Sequence, residues 1–115
     1  MPQTPSEHCT VTITAALDER CAGVRIVGEI DSGAKALLDS SIGLLSRMAP
    51  KLVLVDLGDV TFAGAALPDF LAKMHGQLPP GSTLIVSNPY PQVRQLLQLS
   101  GLTQIVSIRH RIPHR

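Results

Sequence analysis

The chain has 115 residues, 44% hydrophobic and 17% charged, with a formal net charge of +1; this length and apolar content suit one domain and exclude both a second core and a disordered chain. Phe62, Phe70 and Tyr90 are its only aromatics, and with near-neutral charge they offer neither a stacking platform nor a phosphate-neutralising surface, so nucleic acid is not an expected partner. Met1 to Thr10 has no basic leader or apolar stretch, and no apolar run is of membrane-spanning length, so the expectation is no signal peptide, no membrane insertion and a cytoplasmic location.

Val11 to Ala15 alternates as a half-buried strand does, and Val24 to Ile30 alternates again after a polar stretch from Leu17 to Gly23; the two runs predict a β-hairpin or adjacent strands. In that register Cys9 falls opposite residues near Glu29 while Cys21 sits in the turn, too far apart for a disulfide, so two free thiols are expected. From Asp31 the period changes: Ala34, Leu37, Leu38, Ile42, Leu45 and Met48 form one stripe of a helix, with Asp31 or Ser32 as N-cap and Pro50 beyond its end.

Lys51 to Leu57 is a nearly continuous apolar run, the pattern of a central strand covered on both faces. After Val60-Thr61-Phe62 comes the small-residue run Ala63-Gly64-Ala65-Ala66, and Pro68 predicts a second helix from about Pro68 to His75, ending near Gly76. Pro79-Pro80-Gly81 is a turn, and Ser82 to Ser87 reads as a short buried strand. Asn88-Pro89-Tyr90-Pro91 opens a last helix with Val93, Leu96 and Leu97 on one face. Gly101 suits the left-handed position after it, backed by Leu102, and Ile105 to Ile108 is a final strand. Leu52, Val53, Leu54, Val55, Leu84, Ile85, Leu96 and Leu97 are the expected core. The order β, β, α, β, α, β, α, β predicts an α/β fold: a mixed sheet of about five strands, largely parallel, packed with three to four helices. Residues 1–10 are expected to be a flexible N-terminus, 11–108 the domain and 109–115 a basic, solvated tail.

Four segments resemble the STAS family, the fold of anti-sigma-factor antagonists: Val27-Gly28-Glu29-Ile30-Asp31, the run from Leu52 to Phe62, Ile85-Val86-Ser87-Asn88-Pro89, and Val93 to Leu102. The resemblance they carry runs from about Val11 to Ile108. Where antagonists of that family resemble hydrophobic-Asp-Ser-Ser/Thr-Gly, this chain has Gly64 at the aspartate, Ala65 at the phosphate-accepting serine, Ala66 next and Leu67 at the glycine. The resemblance therefore implies a family scaffold whose phosphorylation motif is degenerate. It further implies a non-enzymatic regulatory module that docks to an anti-sigma factor or kinase-like ATPase protein through Asp31, Ala63, Gly64, Ala65, Ala66, Leu67 and Asp69. A weak homodimer is also open. The alternative is an accessory or ligand-sensing subunit, for nucleotide or lipid, of a larger signalling or transport complex.

Each of these residues also has a plainer reading. Asp31 serves as a helix N-cap, worth roughly 1 kcal/mol, and can do so while meeting a partner. Asp56 and Asp59 invite a metal or acid/base proposal, but with no third acid or histidine nearby a turn role is favoured. The run from Ala63 to Ala66 bares backbone amides to an anion, yet it has no phosphate-loop fingerprint, and Leu67-Pro68 favours a packed protein-contact loop. His8, His75, His110 and His114 show no ligand spacing, and no nucleophile stands beside a base. No metal, cofactor or catalytic residue is expected. Tyr90, if exposed, would anchor an interface.

Overall fold

The computed structural model describes residues 9–15 and 20–109. β1 (Cys9–Ala15) and β2 (Cys21–Ile30) form the antiparallel opening pair, with Cys9 opposite Gly28, Thr12 opposite Arg25 and Ala15 opposite Ala22. Both strands outrun the alternating residues, because backbone bonding extends a ladder through any residue that is not proline. Cys9 and Thr10 thus belong to the sheet, whereas His8, His110, His114 and the rest of the two termini lie outside the described residues.

Asp31 follows β2 directly and its carboxylate accepts the Gly33 amide at 3.0 Å, capping a 3-10 turn over Ser32–Ala34 that runs into α1 (Lys35–Met48). The expected stripe is the buried one: Ala34, Leu38, Ile42 and Leu45 are inside, with Leu37 and Met48 at its margin. β3 (Leu52–Ala63) follows, then α2 (Ala66–Gln77), β4 (Thr83–Ser87), α3 (Pro91–Leu99) and β5 (Ser107–Arg109). α2 starts two residues before Pro68, since first-turn amides have no intrahelical acceptor and a proline there breaks nothing. Gly101 is left-handed at φ 77° and Leu102 is buried behind it. The amides of Ile105 and Val106 both turn back to the Leu102 carbonyl, at 3.0 and 2.9 Å. This holds both residues off the ladder and delays β5 to Ser107.

The sheet order is β1-β2-β3-β4-β5, antiparallel at β1 and parallel elsewhere. Right-handed crossovers that all step in the same direction place every helix on the same face. This corrects the expectation that Leu52 to Leu57 is covered on both sides. Val53, Val55 and Leu57 are fully buried, whereas Leu52, Leu54 and Asp56 between them are half-buried on the open face. The same division puts Leu84 in the core and leaves Ile85 half-buried, while on α3 Leu97 is buried and Leu96, one helical position away, is half-buried. The core lies between sheet and helices and is almost wholly aliphatic; Phe70 is its single aromatic.

Leu71→Ala, beneath the helices, is expected to cost about 2–5 kcal/mol in urea unfolding, and Leu54→Ala on the open face about 1 kcal/mol or less; equal losses would mean that both faces are covered. Both cysteines are free, Cys9 buried and Cys21 half-exposed. Burial raises the Cys9 thiol pKa, and the nearby Asp31 charge adds to it. Alkylation followed by mass measurement should modify Cys21 in the native protein and Cys9 only after denaturation.

Candidate functional site

β2, β3, β4 and β5 run parallel, so their C-terminal ends emerge along one edge, where ligands and partners of such sheets are commonly met. The Gly64 amide donates to the Ile30 carbonyl at 2.9 Å, which fastens the link between β3 and α2 to the end of β2. Asp31 and the tip of α2 are thereby side by side. The run from Ala63 to Ala66 is tighter than a four-residue loop: Ala63 closes β3, Gly64 and Ala65 make the link, and Ala66 opens α2.

Ala65 is exposed at the N-cap of α2 and makes no side-chain cap, while Asp31, Ala63, Gly64 and Ala66 are half-buried around it. Leu67 is placed differently. It is 0% exposed, so it supports the link from below, and Leu67→Glu would test the core before any contact. Asp69 is exposed in the first turn of α2, where a carboxylate complements the positive end of the helix dipole.

Phe62 reaches this edge although the site reading of the sequence had not placed it there. β3 carries one extra residue between Asp56 and Asp59 and another between Val60 and Phe62, relative to β2. Strict alternation from the buried Val60 would turn Phe62 inward; the second bulge turns it out, leaving it 53% exposed. Gly28, opposite Val60, takes φ 110°, a conformation that glycine adopts without steric cost. Its presence opposite a long strand is the one sequence signal for the irregularity. A Cβ on Gly64 would meet the Phe62 ring at 3.8 Å and the Ile30 carbonyl oxygen at 3.9 Å, ordinary contact distances, so the site has room for a side chain at position 64. Tyr90, at the start of α3 on the same edge, is also exposed.

Asp56 and Asp59 lie within β3 and not in a turn, a correction with the same cause. The Asp56 carboxylate accepts the Gly58 amide at 2.9 Å inside the first bulge, and both aspartates pair with Arg25 of β2. On the helix side, Lys35 of α1 reaches Asp69 of α2 at 3.4 Å, and Lys73 of α2 reaches Asp39 of α1 at 3.4 Å and Asp69 at 3.5 Å. The Lys73 charge, then the Lys35 hydrogen bond, hold the Asp69 carboxyl below the ordinary aspartate value of 3.8. Its pairing therefore stabilises the fold above that value and is lost as pH falls through the lower folded-state pKa. All four groups are largely exposed, so salt screens them.

The tip of α2 thus presents a methyl group, with no hydroxyl at positions 64 to 67. The Thr61 hydroxyl behind it faces the Gly28 carbonyl at 3.4 Å, and Ser32 is exposed beside Asp31. Among the described residues no group of three histidine, cysteine or acidic side chains is placed to hold a metal ion, and no helix is long and apolar enough to cross a membrane.

Comparison with known proteins agrees with this architecture. The family described as Mlab, STAS domain, matches residues 7–107. Among solved structures the chain is similar to an anti-sigma factor antagonist from Mycobacterium paratuberculosis, with a TM-score of 0.80 and 22% identity over 92% of this chain and 90% of that one. It is also similar to the anti-sigma factor antagonist SpoIIAA in its unphosphorylated form, at 0.75 and 17% over 90% and 89%, and to an anti-sigma-factor antagonist (STAS) domain protein from Planctomyces limnophilus, at 0.71 and 13% over 85% and 86%. No curated protein matches the sequence significantly. The match across almost the whole chain, on a five-stranded mixed sheet with its helices on one face, establishes that this protein belongs to the STAS domain family.

Proposed function

We propose that the chain is a non-enzymatic regulatory module that docks to an anti-sigma factor or a kinase-like ATPase protein, and that it does so independently of phosphorylation at the tip of α2. The observation that carries this reading is the Gly64 to Ile30 hydrogen bond of 2.9 Å. It presents Asp31, Ala65 and the first turn of α2 as one exposed surface, with a methyl group where antagonists of the family resemble a phosphate-accepting serine. A phosphate of nearly two negative charges there would repel or unseat a partner. Ala65 keeps the surface permanently uncharged at that point, so control must come from expression, from the partner or from another site. Phe62 and Tyr90 supply aromatic area along the same edge, and aromatic side chains are the residues most often found anchoring protein interfaces.

A second reading has one observation in its favour, the family description that names Mlab. On that reading the same surface holds the chain as an accessory subunit within a larger signalling or transport assembly. Identifying what co-purifies from the native cells separates the two.

Ala65→Asp is expected to weaken partner binding about tenfold or more in calorimetry, because an unpaired carboxylate buried in a contact costs at least ~1.4 kcal/mol. Unchanged affinity would place the interface elsewhere. Incubation with a partner kinase and ATP should leave the intact mass of the wild-type protein unaltered. The Gly64→Asp/Ala65→Ser variant, for which position 64 has room, should gain a phosphoryl group. Stoichiometric phosphate on Thr61 or Ser32 of the wild type would show that the switch has moved within the chain.

A further inference from the structure

The two edges of the sheet are built differently. β5 is three residues long and ends on Arg109, the short and charged kind of edge that resists pairing with another chain. β1 is seven residues, Cys-Thr-Val-Thr-Ile-Thr-Ala, without charge, proline or bulge. Thr10 to Thr14 are all β-branched, the residue type best suited to strands. Its register with β2 runs unbroken from Cys9 to Ala15. Among the described residues β1 pairs with β2 alone, so its other side offers backbone donors and acceptors for a further strand.

A second observation lies beside this edge. α1 meets α2 on the side that carries Lys35 and Asp39. At about 100° per residue, Leu37, Leu44 and Met48 fall on the opposite flank, towards β1. Leu44 is 42% exposed; Leu37 and Met48, like Val11 and Ile13 of β1, are only partly covered at the margin of the core. The uncapped strand and the aliphatic helix flank therefore form one continuous surface.

We propose that this surface joins two copies of the chain: β1 pairs antiparallel with β1 of a second copy about a twofold axis perpendicular to the sheet at Thr12, and the Leu37, Leu44 and Met48 flanks meet above it. The occupant follows from the register. With Thr12 opposite its own copy, Thr10 faces Thr14 and Val11 faces Ile13, so threonines stay on the open face and aliphatics stay under the helices. The strand has no charge to repel its copy or to select an oppositely charged peptide. Strand pairing over seven residues buries little side-chain area, and the α1 flanks extend it towards the roughly 1,200 Å² at which specific interfaces begin. The dimer is accordingly weak and concentration-dependent. None of the residues assigned to partner docking takes part, so this inference stands apart from the proposed function.

Sedimentation equilibrium of the whole chain from micromolar to millimolar concentration should show the mass rising from 12.3 kDa towards twice that value. Thr12 is exposed, so Thr12→Lys and Thr12→Glu leave the monomer folded, and each places like charges opposite one another across the axis. Each variant alone should remain monomeric with an unchanged circular dichroism spectrum. An equimolar mixture should dimerise again as a Lys–Glu pair, which a misfolded variant could not do. A wild-type mass that stays at 12.3 kDa throughout the range overturns the proposal. So does a dimer that withstands both Thr12 substitutions, including one that Leu44→Lys alone disrupts.

Discussion

The constraint on which the rest of this structure depends is that consecutive strands of the sheet are also neighbours, all the way from β1 to β5. With right-handed crossovers, an order that never reverses leaves no second helix layer. One face of the sheet is consequently packed by α1, α2 and α3, and the other is an open surface on which Thr12, Thr14, Arg25, Leu54 and Asp56 line a shallow trough around Gly23. The same order gathers the C-terminal ends of the parallel strands along one edge.

That edge is shaped by backbone geometry more than by side-chain chemistry. The second extra residue in β3 turns Phe62 outward, and the Gly64 to Ile30 hydrogen bond then returns the chain to the end of β2 before α2 begins. A backbone bond of this kind contributes only about 1 kcal/mol net. Its importance is geometric, since it fixes the direction in which α2 leaves the sheet. Leu67, buried directly after the link, holds the first turn down. Between them they leave Ala65 exposed at the N-cap of the helix, without any side-chain cap.

The ion network between α1 and α2 acts on the same region in a different way. Each exposed pair among Lys35, Asp39, Asp69 and Lys73 is worth at most about 1 kcal/mol and is weakened by salt. Two cations set between two anions tie α1 to α2 at two points, Lys35 to Asp69 and Lys73 to Asp39. The network occupies only one side of α1. The other side, with Leu37, Leu44 and Met48, has no such charges, and the helix is therefore polar towards its neighbour and apolar towards the free edge of the sheet.

From the amino-acid sequence alone the element order, the capping role of Asp31, the stripe on α1 and the left-handed Gly101 were all legible, because each is set by residues within one turn or one strand of each other. The position of Cys9 opposite residues near Glu29 was legible for the same reason, since hairpin register follows from alternation, whereas Cys21, expected in the turn, opens β2. The absence of a hydroxyl at Ala65 is a property of the sequence itself. What only the tertiary structure decided were the features that depend on a neighbour in space. The run Leu52-Val53-Leu54-Val55 reads the same whether one face is covered or two, and strand order determines which. Phe62 and Asp59 take their directions from bulges that exist only in register with β2. Leu67 looks like part of the contact loop in sequence but points into the core, because the helix begins at Ala66 and not at Pro68, and a single helical position is about 100° of rotation.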